Sequence, residues 1–200
     1  MSTDKRFAVV DFETTGLSPD RGARITEVAV VIVDAGLVVD SYQSLVKTGA
    51  WIPAEIERLT GISNDMVACA PDATTVMHAV QKFAACAVPV AHNASFDKKF
   101  WNAEMHLAGQ ATRDDFLCTM LLSRRLYPGA MNHKLDTLAQ FHALKRTGSS
   151  HRALSDAELT AQLFLRICAD AKDQFKLAHM SPASLLAVQN NSRAIQKGAL

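Results

Sequence analysis

The chain has 200 residues, 48% apolar and 20% charged, with a formal net charge of +1. That length suits one domain of about 150 to 200 residues with a short tail, and the composition excludes both a disordered chain and a membrane-spanning one. Near-neutral charge argues against a general nucleic-acid coat, although an enzyme acting on nucleic acid can be neutral when central carboxylates offset a basic rim.

The apolar run Phe7-Ala8-Val9-Val10 reads as a buried strand that closes on Asp11-Phe12-Glu13-Thr14-Thr15-Gly16. Leu17 to Arg24, rich in Ser, Pro, Asp and Gly, reads as a loop. Ile25 to Val33 is a β-branched central strand, Asp34-Ala35-Gly36 a turn, and Leu37 to Val46 its hairpin partner, so three antiparallel strands open the domain. Glu27 inside the second strand is either a further metal ligand or the partner of a basic residue.

A short helix is expected from Ile52-Pro53 to Thr60-Gly61, and a longer one from Ala73 to about Ala87, where Val76, Ala79, Val80, Phe83 and Ala84 recur at helical spacing. Val88 to Ala91 reads as a short strand, followed by a helix from about Ser95, taken as the N-cap, to Leu107. Phe116 to Thr119 is a further short strand, and Met120 to Leu126 and Leu135 to Ala143 are helices. Thr147-Gly148-Ser149-Ser150 is a flexible break before a long amphipathic helix from Ala153 to about Leu177, with a short helix from Pro182 and a mobile end beyond it. Strands first, then helices alternating with short strands, make an α/β fold with a mixed sheet flanked by helices.

Side chains alternate along a strand, so Asp11 and Glu13 project to one face. Two carboxylates that close repel unless a cation neutralises them, which points to a divalent metal. Asp97 and Asp156 each lie near the expected start of a helix, where an acid also suits the macrodipole without any chemistry. The four cysteines, Cys69, Cys86, Cys118 and Cys168, are irregularly spaced with no Cys-x-x-Cys, and are expected as reduced thiols rather than zinc ligands. No stretch approaches the roughly 20 apolar residues of a membrane helix, and the run behind Arg6 is too short for a signal peptide. A cytoplasmic location without membrane contact is the expectation.

Three segments taken together, Asp11-Phe-Glu-Thr-Thr-Gly16, His92-Asn-Ala-Ser-Phe-Asp97 and His151-Arg-Ala-Leu-Ser-Asp156, resemble the exonuclease motifs of the DEDDh group, the DnaQ-like 3′→5′ exonucleases. The resemblance runs from about residue 7 to 170 and takes in Ile52-Pro53, Thr60-Gly61-Ile62 and Asn132 to Leu138. It implies a ribonuclease H-like fold with a five-stranded mixed sheet, an exonuclease domain over residues 1–177 and a tail over 178–200. It also implies that Asp11, Glu13, Asp97 and Asp156 hold two divalent cations, Mg²⁺ or Mn²⁺, with His151 as general base.

By the same resemblance Thr14, Thr15, Gly16, Leu17, Ile62, His92, Asn93 and Phe96 contact the terminal nucleotide. For Phe96 a plain core position is the alternative. The implied substrate is the 3′ end of a single-stranded nucleic acid, DNA rather than RNA, released as nucleoside 5′-monophosphates. Lys134, Lys145, Arg146 and Arg152 form a basic stretch that either steers phosphates or is a solvated surface. The stretch after Leu177 is shorter than the polymerase-binding extension of a bacterial proofreading subunit, which speaks against stable polymerase association. Rival readings are an RNA-trimming exoribonuclease, a phosphatase with an Asp nucleophile, and a binding module without catalysis.

Overall fold

Every residue of strand β2 (Ile25–Asp34) except the last is buried, because β2 is covered on both faces. It pairs antiparallel with β1 (Phe7–Thr14) on one side and β3 (Leu37–Leu45) on the other. β1 also pairs in parallel with β4 (Val88–Ala91), and β4 in parallel with β5 (Leu117–Cys118). The order β3-β2-β1-β4-β5 is the expected five-stranded mixed sheet with its first three strands antiparallel. The computed structural model describes residues 6–176 and 181–190.

The alternation of β1 divides the interior in two. Phe7 and Val9 face helices α5 (Thr119–Leu126), α6 (Leu135–Phe141), α7 (Ala153–Phe175) and α8 (Pro182–Asn190). Ala8, Val10 and Phe12 face α3 (Ala73–Phe83) and α4 (Ala94–Leu107). Phe7 meets Phe164 of α7 edge to face at 4.8 Å, and on the other side Phe12 meets Trp101 of α4 at 6.4 Å, so one aromatic contact pins each layer to the same strand. Two short helices, α1 (Ala54–Thr60) and α2 (Asn64–Ala68), sit over a small separate cluster of Ile52, Ile62 and Val67.

Several boundaries differ from expectation for local reasons. β1 runs on to Thr14, so Asp11 and Glu13 lie inside the strand. α3 stops at Phe83 rather than Ala87, with Cys86 in the left-handed region at φ 62°. Ser95 is not the N-cap of α4: Asn93 holds that position at φ 63°, a conformation Asn tolerates better than most residues, and the helix begins at Ala94. Helix α2 was not expected; Ser63 caps it by accepting a hydrogen bond from the Met66 amide. The expected domain boundary near residue 177 and the expected mobile end at 191–200 lie outside the described residues. α8 is present as expected, with Leu185 and Val188 fully buried in the core and Gln189 Oε1 accepting the Cys118 amide at 2.7 Å.

Candidate active site

Three elements bring the acids together. β1 carries Asp11 and Glu13 on its α7-facing side, the first turn of α4 carries Asp97, and the first turn of α7 carries Asp156. Asp97 is anchored from below, since the Phe12 amide hydrogen-bonds its carboxylate. His151 precedes α7 in a left-handed conformation at φ 59°, and its amide donates to Asp156 Oδ2 at 2.9 Å. The loop behind it lies close against the helix: a Cβ on Gly148 would come within 3.2 Å of the Ser155 Cβ, so the absent side chain allows close approach as well as freedom.

These five residues line one cavity of about 250 Å³ together with Thr14, Gly16, Leu17, His92, Asn93 and Phe96. Phe96 also stacks at a tilt on the core residue Phe100, 4.9 Å between ring centres, so it serves both wall and core. Two of the expected substrate contacts are not on the cavity. Ile62 is fully buried beneath α1 and α2, and Thr15 is engaged with Arg24, whose amide it accepts at 3.0 Å. The cavity has walls that sequence reasoning missed: Ile56, Leu59 and Thr60 of α1. The available signal was their spacing of three and four on a helix that ends in Gly61, whose left-handed φ of 71° closes it.

His92 is a strut. Its Nε2 faces the His133 carbonyl at 3.0 Å, so this nitrogen carries the proton, and its Nδ1 lies 2.8 Å from the Thr119 hydroxyl. Burial pushes its pKa down to about 4, leaving a neutral ring that ties the start of α4 to α5 and to the loop before α6.

The basic stretch around the third motif is only partly free. Arg152 grips Glu27 through Nε at 3.1 Å and Nη2 at 2.8 Å, and Glu27 also accepts the Ala153 amide at 2.9 Å and Gln43 Nε2 at 2.7 Å. Glu27 is therefore the partner of a basic residue, the second of the two readings its sequence position allowed. Arg146 is likewise engaged, with Asp136 and Asp156. Both arginines are thus ion-paired rather than freely solvated, and Lys134 and Lys145 are the exposed cations of the group.

Residues 8–164 match the protein family described as exonuclease. The chain belongs to that family. It is 40% identical over 164 residues to the 3′-5′ exonuclease DinG of Bacillus subtilis, covering 82% of this chain but 18% of DinG. It thus spans less than a fifth of that relative's length. With the DNA polymerase III subunit epsilon of Aquifex aeolicus it shares 33% identity over 165 residues, 82% of this chain and 81% of the relative. Exonuclease X, solved in complex with 5′ overhanging duplex DNA, superposes with a TM-score of 0.71 at 26% identity, over 92% of this chain and 99% of that one.

The cavity gathers acids that its own basic residues do not balance. Burial first, and then repulsion from Asp97, Glu13, Asp156 and Glu27, raise the pKa of Asp11 well above its ordinary value. Burial and the neighbouring acids push Glu13 up to about 8, and burial pushes Asp97 up to about 7. Glu27 is the contrast: burial raises its pKa, but the hydrogen bonds from Arg152, Ala153 and Gln43 outweigh it and hold it low. Glu13, His151 and Asp156 each present a ligand atom within 4.8 Å of the others, and carboxylate oxygens suit a hard divalent cation. The donor set therefore fits such an ion, which would relieve the repulsion that raises these pKa values.

Proposed function

We propose that this chain is a 3′→5′ exonuclease that hydrolyses single-stranded nucleic acid, DNA in preference to RNA, from the 3′ end to nucleoside 5′-monophosphates. The observation that carries the reading is the convergence of Asp11, Glu13, Asp97, His151 and Asp156 on one cavity. The family match and the DNA-linked relatives support it.

Asp11, Glu13, Asp97 and Asp156 would hold two divalent cations, Mg²⁺ or Mn²⁺. When bound, these ions neutralise the acids and the scissile phosphate and make a water easier to deprotonate. His151, whose imidazole nitrogen can accept a proton, would take it from the attacking water as general base. Leu17, 86% exposed at the rim, and the apolar side chains of Ile56, Leu59 and Phe96 offer base-tolerant contact to the terminal nucleotide. Asn93 and the backbone of Thr14 and Gly16 fix its sugar and phosphate. Cytoplasmic placement accords with four free cysteines, and no described helix is long and apolar enough to cross a membrane.

Matched DNA and RNA strands, single and duplex, labelled at either end, test the reading with Mg²⁺, Mn²⁺ and EDTA. The expected result is labelled mononucleotide as the first product from 3′-labelled single strands, a descending ladder from 5′-labelled ones, and no product in EDTA. Internal cuts, digestion from the 5′ end, or turnover that survives EDTA would contradict it.

A further inference from the structure

Both oxygens of Asp156 are already occupied. Oδ2 accepts the His151 amide at 2.9 Å, and Oδ1 accepts Nη1 of Arg146. The same guanidinium reaches the Ser155 hydroxyl at 3.2 Å, and its Nη2 donates to Asp136 Oδ1 at 2.6 Å. The Asp156 side chain is 12% exposed and that of Arg146 19%, whereas that of Asp136 is 63% exposed. Arg146 thus spans from the acid cluster to an acid in solvent.

The two contacts on Asp156 differ in how they can be released. The His151 amide belongs to the backbone leading into α7, so it can leave Oδ2 only if the main chain there moves. Arg146 is a side chain with rotatable bonds and a second acid to stay with. A carboxylate oxygen can hold a cation while still accepting one hydrogen bond, but the guanidinium on Oδ1 puts a positive charge where a metal ion would sit, so Oδ1 is the exchangeable one. Without a cation, a bare Asp156 carboxylate would add to the repulsion around Asp11 and Glu13, which its charge already burdens.

We propose that Arg146 is the resident counter-cation of the metal-free site: it neutralises Asp156 until a divalent ion displaces it, and Asp136 holds the guanidinium beside the site through the exchange. Arg146 is then a positioning residue that competes with the metal. The proposal rests on the reading of Asp156 as a metal ligand given above. By linkage, whatever holds Arg146 on Asp156 weakens the metal, and the metal weakens that ion pair to the same degree.

The test is Mn²⁺ binding to the full chain, followed by the electron paramagnetic resonance of free Mn²⁺, with melting temperatures in EDTA. Arg146→Gln should bind Mn²⁺ about five- to tenfold more tightly and melt lower in EDTA. Asp136→Asn should act in the opposite sense, weakening Mn²⁺ severalfold, because Arg146 is left with Asp156 alone. Arg146→Lys should restore most of the wild-type affinity. A purely structural arginine would lower stability without these opposed shifts. Unchanged or weaker Mn²⁺ binding in Arg146→Gln, or unchanged binding in Asp136→Asn, would overturn the proposal; if Arg146→Gln does not fold, Arg146→Lys and Asp136→Asn decide it. Asp156→Asn separates the two levels. If it binds Mn²⁺ like the wild type, the ligand assignment itself fails; if it loses Mn²⁺ while Arg146→Gln is unaffected, only the role of Arg146 fails.

Discussion

Two groups of buried carboxylates lie within this one fold, and they have opposite surroundings. Glu104 of α4 is 1% exposed and accepts Arg24 through Nε at 2.7 Å and Nη2 at 2.8 Å. Glu27 is fully buried and saturated by Arg152, Ala153 and Gln43. Asp11, Glu13 and Asp97 share one cavity instead; burial raises the pKa of all three, and repulsion from neighbouring acids adds to it at Asp11 and Glu13. A buried acid with its own arginine is finished by folding. A cluster without enough of them is completed by something that comes from outside, and here the chemistry of the donors asks for a divalent cation.

The satisfied acids still serve the unsatisfied ones. Arg24 and Glu104 hold the end of the 15–24 loop, whose start lines the cavity, and Arg152 fastens the residue after His151 to β2. β1 and β2 place Glu13 directly opposite Glu27, so the third motif is tied to the same register as the first.

The contrast can be broken most forcefully at its centre. Asp11→Ala should reduce mononucleotide release by about 10³-fold or more, as expected when cation-based stabilisation worth several kcal/mol is lost, with the fold retained by circular dichroism. His151→Ala should slow release by about 10² to 10⁴-fold while Mn²⁺ still binds, because only proton transfer is removed. Turnover close to wild type in either variant would refute the corresponding role.

The paired acids should respond in another currency, that of folding. Glu104→Ala should destabilise the protein by about 3 kcal/mol in urea denaturation, since it strands Arg24, and should leave Mn²⁺ affinity near wild type. Asp97→Asn should do the reverse, stabilising the metal-free protein at pH 8 by a few kcal/mol, because it removes a carboxyl whose pKa rises from 3.8 to about 7 on folding, and weakening Mn²⁺ binding. Equal loss of stability in both variants would erase the distinction.

The smallest effect is one of pH. Glu13 keeps its proton up to about pH 8 in the folded chain but has an ordinary value of 4.5, and Asp97 keeps its proton up to about pH 7 against an ordinary 3.8. Between these values the folded state holds more protons than the unfolded one, so these groups make stability fall as pH rises. In EDTA the melting temperature should therefore decline from about pH 5 to pH 8. The upward shift given by Mn²⁺ should grow over the same range, because binding releases the retained protons. A shift independent of pH would show that these carboxylates are already ionised.

Patterns carried by neighbouring residues were legible in the sequence. The alternation around Asp11 and Glu13, the turn at Asp34-Ala35-Gly36 and the long apolar stripe of α7 need only local spacing to be read. The partners of Arg146 and Arg152 were not, since Glu27 lies 125 residues from Arg152 and nothing local distinguishes a paired arginine from a solvated one. Ile62 and Leu59 are both apolar and three residues apart, yet one is buried in the small cluster under α1 and the other is 51% exposed at the cavity wall. That division is made by the turn at Gly61. Helix α2 was missed because five residues are too few to display a period.

The seat of α8 has a consequence for synthesis on the ribosome. The Cys118 amide of the strand at one rim of the sheet is satisfied by Gln189, made 71 residues later. A nascent chain halted short of that glutamine would have its catalytic motifs in hand but its last strand unsealed, with the berths of Leu185 and Val188 open to water. Maturation of this domain should therefore wait for α8, after the chemistry-bearing segments have already emerged.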